Sequence, residues 1–246
     1  PAASIVASAV GVPIVMHGEP EIGPKHGITV GDVLEAMKIP IDTSPAIATK
    51  TIEKSGFAYL AQSQFSPSLA KLKELREEIA LRSNLSTIEK FYNLSNASYS
   101  MIGITHLPYL EKMLEAVGRM KFKRFIIVQG IEGTEDIPTS RPCRIFESND
   151  GKLKEYRINP EEYNITPTTK DDIIGANITD NAKLLINAIK GKSKPEFIDL
   201  VALNAGVRIY LAERCSSINE GVQLAQKAIK SQNALARLRT LQIKMS

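Results

Sequence analysis

Apolar residues fall along this chain in two rhythms. Short runs with β-branched or aromatic members, Val12–Met16, Phe57–Ala61, Ser100–Ile104 and Phe125–Val128, have the length and continuity of buried strands. Between them the period lengthens to that of helices. Val30–Lys38 follows Thr29 and Asp32, a capping box in which each side chain reaches the other's backbone N–H. Ser44-Pro45 opens the next helix and Gly56 closes it. Ser66-Pro67 repeats that signal before Leu69, Leu72, Leu75 and Ile79, and Ser86 precedes a short helix over 87–93. Leu107–Arg119 is a further helix. Strand and helix therefore alternate, the mark of an α/β fold with a mostly parallel sheet flanked by helices.

The remainder departs from that alternation. Arg141–Glu147 and Leu153–Ile158 flank Ser148-Asn149-Asp150-Gly151, a hairpin pattern. Pro160–Gly175 is loop-like, and the carboxyl end is helical: Thr179–Ile189 capped by Thr179, Pro195–Arg214, and Ile218–Thr240 capped by Ser217. The first residues, Pro1 to Gly11, form a small-residue helix already under way, of the kind that packs closely on a neighbour and ends on a C′ glycine. With no initiator Met before it, the chain reads as one whose beginning lies elsewhere. One domain over 1–246 is the simplest organisation.

Composition narrows the class only slightly. In 246 residues, 43% hydrophobic and 24% charged content is ordinary for a globular protein. No run of 18 apolar residues suggests a membrane span, and two cysteines, Cys143 and Cys215, make neither a disulfide framework nor a zinc site; both fit a cytoplasmic protein.

The chemistry concentrates after Phe125–Val128, where Gly130 and Gly133 permit a tight turn that delivers Glu132, Glu135 and Asp136 past the strand's carboxyl end. Ligands bind there in open α/β sheets. Three carboxylates in five residues make either a solvated acidic loop or an oxygen-only site of the sort that holds Mg²⁺ through substrate phosphates.

Several strings, in order, resemble the anthranilate phosphoribosyltransferase family, glycosyltransferase family 3: VMHG at Val15–Gly18, DVLEAM at Asp32–Met37, ELREEIALR at Glu74–Arg82, Asn93, IGITH at Ile102–His106, GIEGTED at Gly130–Asp136, LNAG at Leu203–Gly206 and the terminal AIKSQNALARLRTL. The resemblance implies the large α/β domain of a fold that also has a small helical domain carrying the dimer contact. It implies transfer of phosphoribosyl from phosphoribosyl pyrophosphate (PRPP) to an aromatic amine or nucleobase. It places the start of the chain after the glycine-rich diphosphate loop. By the same resemblance Glu135 and Asp136 hold Mg²⁺, in reversed order from the family's Asp-Glu; Arg82 meets the acceptor's carboxylate; and His17, Gly18 and Lys25 line the phosphoribosyl site.

The pattern is also altered. Met16 and Glu19 replace the Lys and Asn of the family's Lys-His-Gly-Asn, Ser66 stands for a histidine, and Glu89 and Lys90 replace Gly-Pro, which points to an acceptor other than anthranilate. The alternative is an inactive relative that binds nucleic acid through Lys121, Lys123 and Arg124, Arg141 and Arg144, and Lys183, Lys190, Lys192 and Lys194. A net charge of +4 permits this without requiring it.

Overall fold

The computed structural model describes residues 1–20, 27–72, 75, 78, 85–169, 173 and 175–243. The chain divides into two compact units, Pro1–Glu89 with Ile174–Ser193 and Ala228–Ser246, and Lys90–Ile173 with Lys194–Lys227.

In the first unit β1 (Ile14–Gly18) pairs in parallel with β2 (Phe57–Ala61), and the helices Val30–Ala36 and Pro45–Ser55 lie between them in sequence. The local signals behave as the side chains dictate. Thr29 and Asp32 exchange both capping bonds, at 2.8 and 3.1 Å, and Gly56 ends its helix at φ 65. The small-residue helix is Ala2–Ala9, with every residue from Ala2 to Ser8 buried. It packs on Asn233–Leu241 and Ile178–Ile189, since short side chains let helix backbones approach on several sides at once. Ile5, Val6, Leu34, Met37, Phe57, Ile189 and Leu238 fill the core, each buried aliphatic or aromatic side chain contributing about 1.5–3 kcal/mol.

The second unit holds a four-stranded sheet in the order β3 (Tyr99–Gly103), β4 (Arg124–Val128), β5 (Cys143–Asn149), β6 (Lys152–Ile158). The strand-helix-strand pair β3 and β4 is parallel and the hairpin is antiparallel. Asp150 and Gly151 connect it with φ 46 and 77, both positive as a tight two-residue turn demands. Strand β4 is covered on both faces, which explains its unbroken apolar run. Ile126 and Val128 face a cluster with Ile137, Leu203 and Val207, while Phe125 and Ile127 face Met113, Val117 and Phe146. At the base of β4, Arg124 is buried, with Nε 2.7 Å from Glu147 Oε1, its guanidinium stacked 4.2 Å from the Tyr210 ring, and Tyr156 donating to Glu147 Oε2.

Several boundaries differ from the pattern-based ones. The last helix is two, Ile218–Lys230 and Asn233–Leu241, broken where Gln232 turns left-handed at φ 64. The cap of Ile178–Ile189 is Asn177 rather than Thr179, because its side chain reaches Asp180 N–H at 2.9 Å. Ser66 makes no capping bond to Pro67–Ala70, and Ile79 lies outside the described residues. The short helix starts at Leu85, before Ser86, and finishes in a 3-10 turn at Phe91.

Candidate functional site

The loop after β4 is a knot of backbone bonds. Ile131 N–H donates to the Asp136 carbonyl at 2.8 Å and Thr134 N–H to the Ile131 carbonyl at 2.9 Å. Glu132 and Gly133 both have positive φ, 50 and 81. The knot lies flat on the end of β3. A Cβ on Gly103 would fall 2.2–2.4 Å from backbone atoms of Gly133 and Thr134, and one on Gly130 would fall 2.3–2.5 Å from the Thr134 and Asp136 carbonyls. Only glycine permits that approach. Lys90 Nζ adds a cross-link, donating to the carbonyls of Gly103 and Gly133 at 3.1 Å each.

Two side chains of the helix Pro195–Leu211 finish the arrangement. Asn204, 2% exposed, accepts from Ile137 N–H at 2.8 Å and donates to the Ile137 and Leu200 carbonyls at 2.9 and 3.0 Å. One amide thus fixes the backbone immediately after the acidic pair. Arg208, one helical turn on, places Nη2 3.3 Å from Glu135 Oε1 and 3.5 Å from Asp136 Oδ1. The two carboxylates are therefore brought together, with side chains 32% and 45% exposed. Glu132 is exposed, and no group of three or more His, Cys, Asp or Glu suited to a metal occurs among the described residues. The pair alone is compatible with Mg²⁺, which takes one or two protein carboxylates and completes its shell with water and phosphate oxygens.

Within the first unit, His17 and Gly18 form the carboxyl end of β1. Burial pushes the His17 imidazole below its usual value, and the Glu89 carboxylate acts in the opposite direction. Glu89 Oε1 accepts from Gln62 Nε2 at 3.0 Å, just beyond the end of β2. Tyr59 Oη would lie 3.1 Å from a Cβ on Gly18, so a larger residue at that strand end would press on the Tyr59 hydroxyl. Burial, then Glu19 and Asp32, raise the Tyr59 phenol well above its usual range. Lys25 and Arg82 lie outside the described residues.

Sequence reasoning singled out the acidic pair but missed the roles of Asn204 and Arg208. The signal available was their spacing: two polar residues four apart in the otherwise apolar stretch Leu200–Leu211 share one face. The cations proposed for nucleic acid fare less well. Arg124 is buried against Glu147, and Lys123, Arg144 and Lys183 are paired with Glu213, Glu155 and Asp180.

The α/β-domain model of the glycosyl transferase family matches residues 1–235. The chain is 30% identical to anthranilate phosphoribosyltransferase of Rubrobacter xylanophilus over 237 residues, 96% of this chain and 69% of that one. It is 31% identical to the Methanocorpusculum labreanum enzyme of the same name, covering 98% and 69%. Among solved structures, anthranilate phosphoribosyltransferase from Thermus thermophilus superposes with a TM-score of 0.85 at 29% identity, covering 98% of this chain and 71% of that one. The Saccharomyces cerevisiae enzyme in complex with PRPP and Mg shares the fold, with a TM-score of 0.82 at 18% identity and coverage of 98% and 66%. No described helix is long and apolar enough to cross a membrane.

Proposed function

Because this chain belongs to the glycosyl transferase family, we propose that it is the large α/β domain of a phosphoribosyltransferase that moves the phosphoribosyl group of PRPP onto an aromatic amine or nucleobase. The observation that carries the reading is the acidic pair, presented by a loop locked at the carboxyl end of β4. Glu135 and Asp136 would hold Mg²⁺, which when bound would offset the charge of the departing diphosphate. The residues' own work is positioning. Asn204 fixes the backbone at Ile137, the glycine knot seats the loop on β3, and no rearrangement is needed as charge develops. In the first unit, His17 and Gly18 contact the phosphoribosyl group, and Lys25 supplies a cation to it. No general base is assigned: breaking the bond to diphosphate makes the sugar carbon cation-like, so charge placement and positioning weigh more than proton transfer, and the departing diphosphate can take up the proton the N–H acceptor releases.

The acceptor is an aromatic amine or nucleobase other than anthranilate. The support is Glu89, a carboxylate near His17, which repels an acidic acceptor and accepts from an N–H-bearing one. Arg82 orients the acceptor.

The test is calorimetric titration of the protein with PRPP, with and without Mg²⁺, repeated on Glu135→Gln/Asp136→Asn. Metal-dependent binding that the double variant loses is expected. Metal-independent binding, or equal binding by the variant, removes the metal pair from the mechanism. A product assay with anthranilate and uncharged aromatic amines then decides the acceptor; turnover of anthranilate as the preferred substrate overturns that part.

A further inference from the structure

The acidic pair already shares a cation, and the cation belongs to the protein. Arg208 is 8% exposed, with Nη1 tied to the Asn204 carbonyl at 2.9 Å and Nη2 facing both carboxylates at 3.3 and 3.5 Å. Charge-assisted bonds in good geometry are shorter, about 2.7–2.9 Å, so the guanidinium leaves much of the pair's bonding capacity open. The carboxylates are several times more exposed than the arginine.

Two carboxylates alone carry −2 and attract a bare divalent cation strongly, but they also repel the diphosphate that must arrive with it. With Arg208 beside them the cluster carries −1. We infer that Arg208 is an internal counter-cation that lowers the pair's affinity for bare Mg²⁺ and raises its tolerance for a metal already bound to a polyanion, so that metal enters as the metal–diphosphate complex. This rests on the reading of Glu135 and Asp136 as the metal pair. A purely structural arginine predicts something else: removing it loosens the loop and weakens both kinds of binding.

The experiment measures two affinities whose changes have opposite sign. Bare Mn²⁺, used in place of Mg²⁺, is titrated into the protein and the free ion followed by electron paramagnetic resonance; PRPP binding at saturating Mg²⁺ is followed by calorimetry. In Arg208→Gln, Mn²⁺ affinity should rise about tenfold or more at low ionic strength while PRPP affinity falls. Arg208→Lys, which keeps the charge, should stay near the parent in both. Equal or weaker Mn²⁺ binding in Arg208→Gln overturns the inference and leaves the metal pair standing. Mn²⁺ binding that Glu135→Gln/Asp136→Asn does not diminish overturns both. Should Arg208→Gln fail to fold, the parent protein decides: the Arg208 guanidinium ¹⁵N resonance should move during Mg²⁺ titration, and a stationary one overturns the proposal.

Discussion

Replacing Asn204 by Ala isolates the clamp behind the acidic loop. The amide is 2% exposed and makes three hydrogen bonds, accepting one from Ile137 N–H and donating to the carbonyls of Ile137 and Leu200. Each such bond contributes about 1 kcal/mol net, and a buried group left without a partner costs about 1–3 kcal/mol. The Leu200 carbonyl sits in a helix, whereas Ile137 is fully buried outside any helix or strand and would lose the partner of both its N–H and its carbonyl. The sum is a loss of about 2–4 kcal/mol from the second unit. Urea unfolding followed by tyrosine fluorescence reads it cleanly, because of the seven tyrosines only Tyr59 lies outside that unit. Hydrogen exchange at the Ile137 amide adds a local measure, and its protection should collapse in the variant. Asn204→Asp tests the donors separately: the acceptor survives, but a carboxylate then faces two carbonyl oxygens, so it should be no milder than Ala. A cost below about 0.5 kcal/mol with the Ile137 amide still protected would refute the clamp.

Other contacts carry three more expectations. Gly103→Ala should cost about 1–3 kcal/mol or more, because its Cβ meets backbone of the glycine knot rather than a movable side-chain tip; Gly118→Ala, with nothing within 4 Å, should be neutral or stabilising by about 0.4–1 kcal/mol in the same urea assay. Arg124→Met should cost about 3–5 kcal/mol by leaving Glu147 buried with Tyr156 alone, and a loss under about 1 kcal/mol would show that solvent reaches the pair. For His17, burial lowers the folded-state value from the ordinary 6.5, so the unfolded chain binds more protons between the two values. Stability is therefore full above 6.5 and lost as pH falls toward the folded value; urea midpoints should decline over that window in the parent and flatten in His17→Gln.

The fold was legible where one residue type answers one local demand. Thr29 with Asp32, Ser44-Pro45 and Gly56 gave their helix ends because each satisfies or permits a specific backbone group, and the apolar run of β4 gave a strand covered on both faces. It was misleading where two residues could answer. Asn177 and Thr179 both suit an N-cap, and the choice fell to Asn177, which also pairs with Asp180 at 2.8 Å. The break at Gln232 has no glycine or proline to announce it; its side chain instead bonds the Lys190 and Ile229 carbonyls, a tertiary contact that pattern alone does not contain.

The acidic pair was legible for the same reason as the caps, since glycines at a strand end permit the positive-φ turn that brings the adjoining carboxylates there. Its cation was not, because Arg208 sits within a helix whose other residues are mostly apolar and buried, and periodicity sees there only a core element. Burial itself supplies the missing step. A guanidinium with 9% of its side chain exposed requires carboxylate or carbonyl partners, and Glu135 and Asp136 are therefore part of what makes Arg208 tolerable inside the protein. Truncating both acids to Ala would thus strand a buried cation and unsettle the helix, and lost PRPP binding would then report folding as much as chemistry. Gln and Asn at those positions keep oxygen acceptors for the guanidinium while removing the charge a metal needs. If the pair acts on metal, Glu135→Gln/Asp136→Asn loses metal-dependent PRPP binding with a stability change well under that of the double Ala variant; if the pair serves only to hold Arg208, PRPP binding tracks stability across both variants.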